Sequence, residues 1–313
     1  MTTEPTTQTE KQAEPAGDAA AAEPFRFFRL EVARTERLSP TLLRITFTGG
    51  DGTDGTDGLD GFASGGCDQS LSLFLPHPGQ AEPVMPTGPD WFNEYRALDP
   101  GVRAVLRSYT VRAQRPGEVD IDFVLHTDPA GPAAQWAGDA GPGDWIIALG
   151  PAVPDNTGVR FRLPEAADYV IVAADETALP AAAAILESLP AGLPAKVWIR
   201  VPHADDAIKL HTAADAEISW LTGDTAGVVD ALRAAELPAG TPYAWLAGEA
   251  GMVRELRRQL VREREFDRRA VSFTGYWRRG ASEDQFRYEA PDEGETEGGT
   301  GGGTGAEGEA AAG

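Results

Sequence analysis

The sequence predicts a two-domain chain: an antiparallel β-barrel or sandwich first, then a doubly wound parallel α/β sheet. Two observations carry this. The first half repeats apolar residues with period two between Gly/Pro loops. The second half alternates short apolar strands with helical runs.

In the first half, Leu43–Thr48, Leu71–Leu75 and Val119–Leu125 alternate apolar and polar positions, and residues 27–33 and 107–112 follow more loosely. Five or so strands result, and Pro151 and Pro154 turn the chain out of this region. In the second half, Tyr169–Ala173 is a short buried strand followed by a helical run, Leu179–Leu189. Lys196–Val201 and Glu217–Leu221 are strands, Val228–Ala235 a helix and Tyr243–Ala247 a strand. Met252–Arg264 is a helix with Leu256 and Leu260 on one face, and Val271–Tyr276 closes the series.

Composition narrows the function classes. The 313 residues carry 27 Lys and Arg against 49 Asp and Glu, a net charge of −22. That is the wrong sign for a nucleic acid or an anionic membrane surface. No apolar stretch is long enough to span a bilayer, and residues 1–23 do not read as a secretory signal, so a cytoplasmic protein is expected. One cysteine, Cys67, excludes an internal disulfide and a multi-cysteine metal centre. Residues 1–24 (net −4) and 281–313 (net −8) are rich in small and acidic residues and read as disordered acidic tails. The repeat DGTDGTDG at 51–58 lacks the position-twelve Glu of a calcium loop, since Phe62 stands there, and reads as a surface loop.

Five segments carry chemistry. On a strand, Arg107 and Tyr109 of Arg107-Ser108-Tyr109-Thr110 point one way and Ser108 and Thr110 the other. A guanidinium, an aromatic ring and a hydroxyl at this spacing suit a phosphate and a flavin ring; alone, the segment is equally an ordinary strand. After His126, the step Gly131-Pro132-Ala133-Ala134 opens a helix whose free amides form an anion site; a structural helix start with Trp136 in the core is the other reading. Asp175-Glu176-Thr177 and Gly248-Glu249-Ala250 each end a parallel strand, where this sheet type binds nucleotides, although the three-glycine dinucleotide fingerprint is absent. Finally, Tyr276-Trp277-Arg278-Arg279 places two aromatics beside two arginines.

Taken in order, RSYTVR (107–112), DFVLH…GPAAQW (122–136), DETALPA (175–181), WLAGEAG (245–251) and GYWRRG (275–280) resemble the siderophore-interacting protein family, FAD-dependent ferric-siderophore reductases related to the ferredoxin–NADP reductases. The resemblance implies a six-stranded antiparallel Greek-key FAD barrel over 25–155 and an NAD(P)H-binding α/β domain over 165–280. It implies FAD contacts from Arg107, Ser108, Tyr109, Thr110, His126 and Gly131 to Ala134, and nicotinamide nucleotide contacts from Asp175, Glu176, Thr177, Gly248, Glu249 and Ala250. It also puts Tyr276, Trp277 and Arg278 at the cofactors. Its substrate is a ferric siderophore, its donor NADPH or NADH with ferredoxin as the alternative, and its iron passes through with no resident metal site. No general base is needed, and a monomer is expected. A flavin reductase with another acceptor and a non-catalytic ferric-siderophore or FAD carrier are the other readings.

This chain departs from the family's usual pattern at four places. Ala134 replaces a Ser. Ser70 and Ser72 stand where a D-x-H-V-K-L stretch carries His and Lys, which implies a less negatively charged ligand such as a hydroxamate complex, with Arg103, Arg278 and Arg279 as replacement charge. Arg200 replaces a Glu, which favours the 2′-phosphate of NADPH.

Overall fold

The structure, a computed structural model, describes residues 23–50, 58–125 and 131–280. The expected acidic tails, nearly all of the DGTDGTDG loop, and His126 lie outside the described residues.

Seven strands form the first sheet: β1 (Phe25–Arg37), β2 (Leu42–Gly49), β3 (Ser70–Leu75), β4 (Val105–Thr110), β5 (Ala113–Arg115), β6 (Glu118–Val124) and β7 (Trp145–Pro151). Their order is β4-β3-β7-β1-β2-β6-β5, antiparallel throughout. Only Val111 and Arg112 separate β4 from β5, so one bent strand pairs with β3 at its start and with β6 at its end. The sheet thereby closes as a barrel of six continuous strands. Its interior is filled by inward residues of alternating register, including Phe28, Leu30, Ile45, Phe47, Leu73, Ile121, Phe123 and Ile146.

Two barrel elements differ from the expected set. β7 reads as a continuous apolar run because both of its faces are covered: Ile146 and Ala148 face the barrel core, while Ile147 and Leu149 face an outer cluster. That outer cluster is capped by α1 (Trp91–Ala97), whose Tyr95 packs edge-on against Phe74. A further helix, α2 (Pro132–Asp139), buries Ala133 and Ala137 against the barrel.

The second sheet is parallel, in the order β10-β9-β8-β11-β12, from β8 (Tyr169–Ala174), β9 (Pro194–Val201), β10 (Asp215–Thr222), β11 (Pro242–Glu249) and β12 (Val271–Trp277). Every residue of β8 is buried, as a central strand covered on both faces requires. Helix α3 (Leu179–Ser188) covers one face, and α4 (Ala226–Ala234) and α5 (Ala250–Arg258, continued by a π turn to Glu263) the other. The strand order reverses between β8 and β11, so the crevice at their carboxyl ends is the switch point of the sheet.

The barrel meets the α3 face, where Leu42 and Phe161 join the core of the parallel sheet. Polar contacts lock this seam. Asp206 accepts from the Ser39 hydroxyl at 2.6 Å and the Thr41 amide at 2.9 Å. Arg112 pairs with Glu187 through both nitrogens, at 2.6 and 3.0 Å.

Candidate functional site: a flavin strand and a nucleotide crevice joined at the seam

Strand β4 carries Arg107 to Thr110. It is held by β3, which sets Arg107 opposite Leu73 and Tyr109 opposite Leu71. The Tyr109 ring lies 4.5 Å from Phe123, which is 6.1 Å from Trp136 on α2. Trp136 also stacks parallel to Phe47 at 6.4 Å, so this tryptophan packs on the core, as the structural alternative for the segment foresaw. The same packing aims the helix: α2 contacts β2, β4 and β6. Its start is open. Gly131 is the N-cap and Pro132 the first helical residue, with no side-chain cap and no acid in the first turn. Among the described residues, nothing lies within 4 Å of a Cβ built on Gly131. Free first-turn amides beside a strand bearing a half-buried guanidinium form a donor set suited to a pyrophosphate. Arg107, Ser108, Tyr109, Thr110 and residues 131–134 therefore fit FAD by their chemistry. Ser108 is exposed and Thr110 is buried.

At the switch point, the segments after β8 and β11 come together around Asp175, which is fully buried. Its Oδ1 accepts from the Thr177 amide at 3.0 Å and hydroxyl at 2.5 Å. Its Oδ2 accepts from the Glu249 amide at 2.7 Å and the Trp277 indole at 2.8 Å. Burial and the neighbouring Glu176 charge push the Asp175 pKa up, and these hydrogen bonds offset that only in part. Gly248 is required here: its φ is +133°, and a Cβ would sit 2.5 Å from the Asp175 carboxyl. Glu249 caps α5 by accepting from the Met252 amide at 2.9 Å and takes the Arg279 amide at 3.3 Å.

Several expected site residues stand elsewhere than the sequence implied. Glu176 is 5% exposed and bound to Arg200 at 2.6 Å, while Arg200 Nε also donates to the Gly223 carbonyl at 2.7 Å. The cation expected to serve a 2′-phosphate is thus already paired. Tyr276 and Trp277, expected as exposed-edge aromatics, are half-buried, and burial pushes the Tyr276 phenol up. Arg103 packs over the Tyr95 ring at 4.8 Å, in the outer cluster of the barrel, whereas Arg279 is exposed after β12. Ser72, the departure from the usual Lys, is 2% exposed within the barrel wall.

Asp68 was missed, although it lies in the stretch read for its His and Lys positions. It accepts from the Arg160 and Phe161 amides, both at 2.9 Å, and from the Trp245 indole at 2.8 Å. The D-x-H-V-K-L pattern includes it as the leading Asp, but its role was not legible, because its partners lie 92 to 177 residues away.

An antiparallel barrel followed by a parallel sheet with a switch point is the architecture of the two-domain flavin–nicotinamide oxidoreductases. Comparison with known proteins narrows the class. The siderophore-interacting FAD-binding domain model matches residues 31–155, and the siderophore-interacting protein model matches 167–280. The chain belongs to the siderophore-interacting protein family. It is 31% identical over 268 residues to the ferric vibriobactin reductase ViuB of Vibrio cholerae, covering 83% of this chain and 92% of that one. It is 32% identical over 257 residues to the NADPH-dependent ferric-chelate reductase of Escherichia coli, covering 81% and 93%. The crystal structure of a siderophore utilization protein from T. fusca superposes with a TM-score of 0.70 at 35% identity, covering 83% of this chain and 95% of that one.

Proposed function

We propose that this chain is an FAD-dependent ferric-siderophore reductase that takes electrons from NADPH or NADH and delivers them to chelated Fe(III). The observation that carries it is the seam. Tyr276 packs against the core cluster that the barrel residue Leu42 enters, and the adjacent Trp277 is tied to Asp175 at the carboxyl end of the parallel sheet. Barrel and parallel sheet thus meet beside the switch point, which supports hydride delivery between two cofactors bound there. The names of the relatives, ferric vibriobactin reductase and NADPH-dependent ferric-chelate reductase, support the same reading.

When bound, FAD supplies the conversion from two-electron hydride chemistry to one-electron transfer. The chain's own part is positional. Arg107 and the start of α2 would hold phosphate charge, and Tyr109 would support the ring from the barrel strand. Fe(III) is substrate: a hard cation held by hard oxygen ligands, it is released once reduced, because the same ligands hold Fe(II) weakly. The expected monomer, and barrel and nucleotide units spanning 25–155 and 165–280, complete the proposal.

The test is anaerobic. FAD-loaded protein is mixed with NADPH or NADH, then with a ferric hydroxamate or a ferric catecholate, while the flavin's visible absorbance is followed. Bleaching by a nucleotide and recovery on adding a chelate is the expected result. Bleaching without recovery moves the acceptor elsewhere, and no bleaching by either nucleotide leaves a ferredoxin donor or a carrier.

A further inference from the structure

Resting on the ferric reductase reading, we propose that Asp175 is a positioning residue: its carboxylate fixes the end of β12, so that Tyr276 packs at the seam with the barrel while Trp277 stands at the nucleotide site. It acts on both sites without binding either cofactor.

The local geometry leads to this assignment. Both Asp175 oxygens are used inside the protein, two donors on each, and the residue has no exposed surface. A carboxylate so occupied has nothing left for a nucleotide. Three pieces of chain converge on it: the turn into α3 through Thr177, the end of β11 through the Glu249 amide, and the end of β12 through the Trp277 indole.

The convergence produces a register break. Gly248 lies opposite Gly275, but Glu249 lies opposite Trp277, so Tyr276 is the extra residue of a bulge in β12. Bulges re-aim side chains. Here the bulge lets Tyr276 pack against the core cluster that the barrel residue Leu42 enters and leaves Trp277 over Asp175. Gly248 lets the carboxylate occupy the space its own Cβ would need. One carboxylate therefore sets where two neighbouring aromatics sit, one at the seam and one at the nucleotide site.

Asp175→Asn is the informative change. It keeps size and shape, but either orientation of the amide turns its NH2 group toward two donors, so half of the hydrogen-bond set is lost. Trp277→Phe keeps an aromatic ring, a smaller one, and removes the indole donor. Wild type, D175N, W277F and the double variant are compared by near-UV circular dichroism without FAD, by FAD affinity, by melting temperature and by the rate of flavin reduction by NADPH and NADH.

The indole band removed in W277F should also be lost in D175N. Reduction should slow by about tenfold in each single variant, with the double variant no slower than D175N, because both changes break one connection. FAD affinity should hold within about threefold, since uniform binding of the flavin is untouched. A D175N protein that keeps the indole band and the wild-type rate overturns the proposal. So do additive losses, or a parallel collapse of FAD affinity and melting temperature. If D175N does not fold, W277F decides: slowed reduction with FAD affinity kept supports the proposal, and the wild-type rate refutes it. If neither nucleotide reduces the wild-type flavin, the reductase reading falls, while the circular dichroism comparison still tests Asp175's hold on Trp277.

Discussion

The Asp68 carboxylate at the start of barrel strand β3 accepts a hydrogen bond from the indole of Trp245, 2.8 Å away in strand β11 of the parallel sheet. Both residues are buried, and the other Asp68 oxygen takes the Arg160 and Phe161 amides. One side chain thus joins the barrel, the connecting segment and the nucleotide sheet. Asp68→Ala would strand three buried donors and should cost about 3 kcal/mol or more, whereas Trp245→Phe removes one bond to a charged group and should cost about 1.5–3 kcal/mol. Urea unfolding of the two variants measures both; equal costs would show that the carboxylate works through the indole alone.

The second buried acid of the seam makes its hold pH-dependent. Burial opposes ionisation of Asp206, but hydrogen bonds from Ser39, Thr41 and the His203 amide outweigh it and hold its pKa below the ordinary value. The native state therefore binds this proton less tightly than the unfolded chain. Its stabilising contribution is complete above the unfolded pKa of about 3.9 and disappears as pH falls through the depressed native value. The melting temperatures of wild type and Asp206→Ala should lie furthest apart near neutrality and converge below about pH 4. A gap that stays constant into that range contradicts the assignment.

What the sequence made legible follows from how locally each feature is encoded. Leu43–Thr48 and Val119–Leu125 alternate because one face of each strand meets the barrel core, so period two reveals them. Strand β7 does not alternate, since Ile146 and Ile147 enter different cores. Helix α1 buries only Tyr95 and shows no helical period to find. In the candidate site, the 107–110 segment, the Gly-Pro helix start and the two strand ends at 175 and 248 were readable because each is contiguous. The use made of Asp175 was not, since Trp277 and Glu249 reach it from 102 and 74 residues away. For the same reason Arg200 looked available on its strand, and only the fold brings Glu176 to it.

The Glu176–Arg200 pair yields a prediction on nucleotide choice. Its 2.6 Å bridge is almost wholly withdrawn from solvent at the Glu176 end, and it neutralises the one cation placed at the end of β9. Glu176→Gln keeps a hydrogen-bonding partner and removes the charge, leaving Arg200 to meet a phosphate. KM for NADPH should fall several-fold while KM for NADH stays unchanged, and Arg200→Ala should abolish the gain. Equal shifts for both nucleotides would place the pair away from the adenosine 2′ position.

The open start of α2 separates binding from stability within one substitution. Gly131 has an extended N-cap conformation, φ −69° and ψ 163°, that any residue adopts, and no described residue lies within 4 Å of a Cβ there. Asp is a better N-cap than Gly by a few tenths of a kcal/mol, and its charge suits the positive end of the helix. Gly131→Asp should therefore leave the melting temperature unchanged or slightly raised. The new carboxylate would take the amides that the pyrophosphate of FAD needs and repel its charge. FAD affinity should drop by about tenfold or more, with Gly131→Ala, which adds no charge, binding nearly as wild type. Isothermal titration of the three proteins with FAD checks this. A Gly131→Asp protein that binds FAD as tightly as wild type would remove the helix start from the flavin site and leave Arg107 as the phosphate-binding group on β4.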